Sequence, residues 1–167
     1  IDLITQKAYV FEGKDGEKVT TTDVPAQYAA DVKKYRHHML ETLAMYSDEL
    51  MELLLEEQEP SIELIHKVTK QAVQAEGFTP VFVGSAYKNK GVQPLLDAIV
   101  RYLPSPLERK VTSKKWDDPS QTISLEPDPK KPFVGMAFKI VEDPFGQLTF
   151  MRIYQGQVKK GEMLYNQ

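Results

Sequence analysis

Pro80-Val81-Phe82-Val83-Gly84-Ser85-Ala86-Tyr87-Lys88-Asn89-Lys90-Gly91 is the stretch whose reading decides the fold. Its apolar run, closed by Gly84, reads as a strand buried on both faces, the kind found in parallel sheets covered by helices. The polar loop that follows leads into an apolar-periodic segment from Val92, which reads as a helix. In open α/β sheets ligands bind just outside the carboxyl ends of strands, and Gly84-Ser85-Ala86 takes that place. Small residues there allow close approach of a ligand to the backbone. The expected class is therefore α/β.

Outward from this stretch, the composition of the 167 residues is 41% hydrophobic and 27% charged, which is ordinary for a globular protein. No apolar run approaches the roughly 20 residues that span a bilayer, and no signal peptide is visible. The chain opens on Ile1 rather than methionine, the expected start of a piece of something longer. Absence of cysteine excludes disulfides and thiolate metal sites. With His37, His38 and His66 as the only histidines, no metal site is expected. The net charge of −3 argues against a general nucleic-acid surface, but it hides an asymmetry. Between Arg36 and Lys67 there is no Lys or Arg, while Glu41, Asp48, Glu49, Glu52, Glu56, Glu57, Glu59 and Glu63 all fall there. One reading of this block is a solvated face; the other is a field that steers a basic partner.

Residues 3–11 and 17–22 are β-prone and flank Gly13-Lys14-Asp15-Gly16, a hairpin signal. Gly13-Lys14 imitates the end of a phosphate-binding loop. Ala8 stands where that loop's first glycine belongs, however, and Asp15 replaces its Ser/Thr, so the turn reading prevails. Asp23-Val24-Pro25 reads as a capped helix start. Tyr28, Val32, Tyr35, Met39, Leu43 and Tyr46 then mark the buried stripe of a helix of about 20 residues, with His37 and His38 beside it. Ser47 and Ser61 read as caps of two further helices. The first buries its leucines, and the second carries Ile62, Ile65, Val68 and Ala72 and ends at Gly77.

The helix from Val92 to Leu103 has the stripe Val92, Leu95, Leu96, Ile99, Val100 and Leu103, and Pro104-Ser105-Pro106 stops it. Residues 104–131 hold five prolines and no periodicity, so they read as a linker or crossing strand and as the best domain boundary. Beyond Pro132 the pattern is β. Strands are expected over 133–141 and 148–154 about a type I turn at Asp143-Pro144-Phe145-Gly146, with a third suggested at Met163-Leu164-Tyr165. The expected organisation is a helical unit with a hairpin (1–78), a strand, loop and helix (79–104), a linker (105–131) and the first strands of a β-domain (132–167).

GSAYKNKGVQPLLDAIVRYLPSP, residues 84–106, closely resembles the end of the GTPase domain of the elongation factor G family, the translational GTPases that drive ribosomal translocation. PFVGMAFKIVEDPFGQLTFMRIYQGQVKKGEMLYN, residues 132–166, resembles the opening of that family's second, β-barrel domain. IDLITQKAYVF, the hairpin, DVPAQY and the helices after them resemble, more loosely, the insert subdomain of the same GTPase domain.

The resemblance implies a role for Ser85, Ala86 and Tyr87 as the loop beside the guanine of GTP or GDP in a full-length parent. The Ala86 N–H would donate to the guanine carbonyl, where adenine presents an amino group. The Ser85 hydroxyl would brace the loop carrying an aspartate that reads the other edge of the base, and Tyr87 and Lys88 would extend the wall. No GxxxxGK[ST] loop occurs, and the family's DxxG and NKxD motifs are absent. Asn89-Lys90-Gly91 lacks the aspartate, and Asp143-Pro144-Phe145-Gly146 lies between strands, so both are imitations. The segment alone is expected to have no catalytic residues, no bound nucleotide and no independent nucleic-acid binding. The family further implies the ribosome as partner, with Glu49, Glu52, Glu56 and Glu57 toward the C-terminal domain of the ribosomal stalk protein. It also implies the cytoplasm, an organellar matrix remaining open. A class-II release factor, a ribosome-protection protein or a non-catalytic acidic adaptor are the alternatives.

Overall fold

The computed structural model describes residues 1–115 and 117–164. The chain divides into two units, Ile1–Leu103 and Pro104–Gln167. The class is mixed α/β, as expected, but every ladder among the described residues is an antiparallel pair of strands.

In the first unit β1 (Lys7–Glu12) and β2 (Lys18–Asp23) form the hairpin read from the sequence, with Ala8 opposite Thr22 and Phe11 opposite Val19. Gly13 and Gly16 supply the positive φ that the turn requires. Asp23 is not a helix cap. It ends β2, and its carboxylate accepts from Lys7 Nζ at 2.7 Å. A single 3-10 turn, Ala26–Tyr28, follows Pro25 and leads into α1, Ala29–Ala44.

The buried side of α1 is Val32, Arg36, Leu40, Leu43 and Ala44, whereas Tyr28 and Tyr35 are exposed. The expected stripe is thus rotated, because Arg36 lies inside. Its Nη1 donates to the carbonyls of Leu3 (2.6 Å) and Ile4 (2.8 Å), and its Nε and Nη2 reach Glu59 Oε1. A buried guanidinium is tolerable when its donors are satisfied in this way.

The two serine caps are where the sequence places them. Ser47 accepts from Leu50 N at the head of α2 (Asp48–Leu55), and Ser61 accepts from Leu64 N at the head of α3 (Ile62–Gln74). Asp48, Glu49 and Glu63 complement the positive ends of these helices. Leu40, Leu43, Leu50, Leu64, Ile65, Val68 and Ala72 interlock as the core, with Ile4, Tyr46 and Phe78 packed against it. Gly77, where α3 unwinds, lets Tyr46 in. A Cβ there would stand 2.0 Å from the tyrosine hydroxyl.

The strand expected at 81–83 is not formed. No described segment pairs with it, and Val81 and Val83 are 83% and 92% exposed. α4 (Val92–Tyr102) follows, but it buries only Ala98 and Tyr102, and Leu95, Leu96, Ile99 and Val100 are exposed. Its tie to α3 is polar. Arg101 Nη1 donates to His66 Nε2 at 3.1 Å, which leaves the proton on Nδ1, 2.7 Å from the Tyr102 hydroxyl.

In the second unit, residues 105–131 are more than a linker. β3 (Val111–Lys114) pairs with β4 (Thr122–Leu125), and Leu125 is buried. Asp118 organises the connection by accepting from Ser120 N, Ser120 Oγ and Gln121 Nε2, bonds that hold its carboxyl below the usual carboxylate range. β5 (Val134–Asp143) and β6 (Gly146–Gln155) form the expected hairpin about Pro144-Phe145, where Asp143 accepts from Phe145 N at 2.8 Å. Of the suggested third strand, Met163 and Leu164 are not in a ladder, and Tyr165 lies outside the described residues.

Burial, and then the Arg101 charge, hold His66 below its ordinary value of 6.5. The neutral imidazole is therefore the form that joins α3 to α4. Its contribution to stability is complete above the unfolded value, begins to fall as pH drops below it, and is lost once pH passes the folded value. His66→Gln keeps one donor and one acceptor but does not titrate. Acidifying from about pH 7.5 to about pH 5.5 should lower the urea midpoint more in the native chain than in that variant.

Candidate functional site

The loop between residues 83 and 91 is held by its own backbone. Ser85 N donates to Lys90 O (2.8 Å) and Lys90 N returns the bond to Ser85 O (3.0 Å). Inside this ring Lys88 N donates to Ser85 O, and Asn89 N donates to Ala86 O. The arms of the loop approach where glycines stand. A Cβ on Gly84 would lie 2.6 Å from Lys90 O, and one on Gly91 would lie 2.8 Å from Val83 O. The bareness of Gly84 thus serves the loop's own closure rather than the approach of a ligand. Asn89 and Gly91 both have positive φ (48° and 80°), and Gly91 opens α4. Asn and Gly are the residues most tolerant of that conformation, so Asn89-Lys90-Gly91 is turn chemistry.

Ser85, Ala86 and Tyr87, the residues expected to face a base, come together at the tip. Ser85 is half-buried, Ala86 is exposed and Tyr87 is 99% exposed. The Ala86 N–H and the Ser85 hydroxyl have no hydrogen-bond partner among the described residues, although the carbonyls of both are engaged in closing the loop. The turn thus closes on itself and leaves one backbone donor and one hydroxyl unpartnered among the described residues.

A cleft of about 750 Å³ lies behind the loop, lined by Ile4, Phe11, Phe82, Gln93, Arg101 and Tyr102 among others. Its wall includes Val83 and Gly91 but not Ser85, Ala86 or Tyr87, so it is separate from the tip. Among the described residues, no group of three His, Asp or Glu side chains is placed to hold a metal ion. His37 and His38 are exposed and face Glu41.

The acidic block divides. Glu59 is drawn to Arg36 and Glu49 lies 3.8 Å from Lys67, while Glu52, Glu56 and Glu57 are exposed on or just beyond α2. Glu56 accepts from Gln58, and Glu57 turns the chain at a positive φ of 54°. Two contributors at this site escape sequence reasoning. One is the hairpin residue Gly16, whose missing Cβ would meet Lys88 O and Asn89 O at 2.7 Å. The other is Gln93, whose amide nitrogen points to Gly16 O at 3.5 Å. Both depend on distant segments meeting, which local pattern does not report.

No protein-family model matches the chain. Elongation factor G of Rhodopirellula baltica is 59% identical over 167 residues, covering the whole chain and 24% of that protein. Elongation factor G 1 of Treponema pallidum is 47% identical over 99% of the chain, and the mitochondrial elongation factor G-1 of Arabidopsis thaliana is 42% identical over 99%. A solved structure of a protein from Thermus thermophilus, 31% identical, superposes with a TM-score of 0.69 and covers 97% of this chain and 22% of that one. The chain spans about a quarter of the length of the curated relatives it matches.

Proposed function

We propose, for a chain that belongs to the elongation factor G family over the quarter of its relatives' length that it spans, that residues 84–91 form the guanine-facing wall of a GTP/GDP site. The rest of that site comes from a longer translational GTPase that promotes movement of tRNA and mRNA on the ribosome. The carrying observation is the Ala86 N–H, which has no partner among the described residues, on an exposed residue of a loop closed by paired Ser85–Lys90 bonds. A preorganised donor discriminates by pattern: it matches the carbonyl of guanine and opposes the amino group of adenine. Phosphate contacts are not supplied by these residues, so the segment contributes base selectivity and no catalytic group.

The second part of the proposal concerns recruitment. Glu49, Glu52, Glu56 and Glu57 sit on or beside one short helix with no Lys or Arg between residues 37 and 66. Such a field raises the encounter rate with a lysine-rich partner, which favours the C-terminal domain of the ribosomal stalk protein. The working compartment in this reading is the cytoplasm or, as for the mitochondrial Arabidopsis relative, an organelle. No helix among the described residues is long and apolar enough to cross a membrane.

In a full-length GTPase carrying this segment, Ala86→Pro removes the donor. GDP affinity should fall roughly tenfold, the factor of one hydrogen bond worth about 1.4 kcal/mol, and the preference for GDP over ADP should shrink. Unchanged selectivity would count against the guanine-facing wall. For recruitment, chemical-shift mapping of this chain titrated with a stalk C-terminal domain at low salt should mark amides around Glu52 and Glu56, and the shifts should weaken as salt is raised. Unchanged spectra at millimolar concentrations would count against docking here.

A further inference from the structure

The tip of the β1–β2 hairpin is bound up with the loop at residues 85–90. Gly13, Lys14 and Asp15 are exposed, as turn residues usually are, but Gly16 is buried. It is buried by backbone. A Cβ at Gly16 would lie 2.7 Å from Lys88 O and from Asn89 O, and 3.1 Å from the Asn89 carbonyl carbon. Any side chain there would displace main chain rather than a movable side-chain end. Gly16 also has φ +66°, so the position requires glycine twice over. From the first turn of α4, Gln93 Nε2 reaches toward Gly16 O at 3.5 Å, and Gln93 Oε1 is buried with no hydrogen-bond partner among the described residues. A buried polar atom without a partner calls for a reason, and the reach of Gln93 to the Gly16 carbonyl supplies one. Gly13 differs: its φ is +93°, and a Cβ there would meet the Glu17 carboxylate, which accepts from Asp15 N within the turn, rather than the backbone of the loop.

We infer that the β1–β2 hairpin is a brace for the base-facing loop, with Gly16 as the positioning residue seated against the Lys88 and Asn89 carbonyls and Gln93 as a second one that reaches the Gly16 carbonyl from α4. Lys88 and Asn89 are the residues whose N–H groups bond Ser85 O and Ala86 O, so seating them steadies the segment that carries the Ala86 N–H. This assigns the hairpin a part in nucleotide selectivity, and that consequence rests on the guanine-facing reading above. The brace itself does not.

Hydrogen exchange of the 167-residue chain, followed amide by amide by NMR without nucleotide, reads the brace directly. The reporters are Ser85, Lys88, Asn89 and Lys90, whose N–H groups close the loop. Gly16→Asn should speed their exchange several-fold; Asn is among the residues most tolerant of positive φ, which leaves the clash with Lys88 O and Asn89 O as the chief disturbance. Gln93→Ala leaves the turn backbone untouched and should speed the same amides to a smaller degree. Unchanged loop exchange in both Gly16→Asn and Gln93→Ala would overturn the brace, even if the hairpin itself melts in the first. Because no nucleotide is present, these outcomes are independent of whether Ala86→Pro alters the preference for guanine.

Discussion

The first unit depends on one buried cation. Arg36 extends from α1 into the core side of the helix and fastens the carbonyls of Leu3 and Ile4, a segment more than 30 residues earlier. Asp2 completes the anchor by accepting from Ile4 N and the Thr5 hydroxyl, which folds the N-terminal segment into a compact turn ahead of β1. The hairpin leaves from this turn, and its tip arrives at the loop of residues 85–90. The guanidinium therefore sets where the hairpin starts, and the start limits where Gly16 can reach. Glu59 contributes less than its proximity suggests. Its side chain is 68% exposed, so much of the attraction is screened by water.

The second constraint is the pinch of glycines at residues 84 and 91. It closes the loop on itself through backbone bonds and leaves Ala86 and Tyr87 at the outside. A donor that is already oriented needs little reorganisation to meet a ligand acceptor, and selectivity can arise from a main-chain group. α4 carries this loop at its first turn and the His66 contact at its last, so the helix links the loop to the three-helix core. The exposed leucines and isoleucine of α4 and the unpaired 81–83 segment share one cause. They have the composition of buried structure without, among the described residues, the strands that would bury them.

Much of this was legible in the residues. The Ser47 and Ser61 caps, the two hairpins and the glycine-bounded loop follow from local chemistry, because each is decided within a few residues. The departures arise where a distant partner decides. Arg36 lies outside the apolar stripe read from the sequence, and nothing nearby announces the carbonyls of Leu3 and Ile4 that draw it inside. Asp23 has the letters of a cap, yet the ladder register sets it against Lys7 instead. Val81-Phe82-Val83 has strand composition, but a strand exists only when another chain segment lies alongside. The proline-rich 105–131 region conceals the β3–β4 pair because four-residue strands give too short a pattern. Gly16 was readable as a turn residue, and its second duty was not.

The central claim is that Arg36 stabilises the first unit through the two carbonyls rather than through the ion pair. Urea unfolding of Arg36→Met and Glu59→Gln, measured side by side on the 167-residue chain, separates the two. Two carbonyls left without partners, at about 1–3 kcal/mol each, should make Arg36→Met cost at least about 2 kcal/mol. Glu59→Gln, which keeps an acceptor at an exposed position, should cost under about 1 kcal/mol. Equal losses, or a greater loss for Glu59→Gln, would contradict the account.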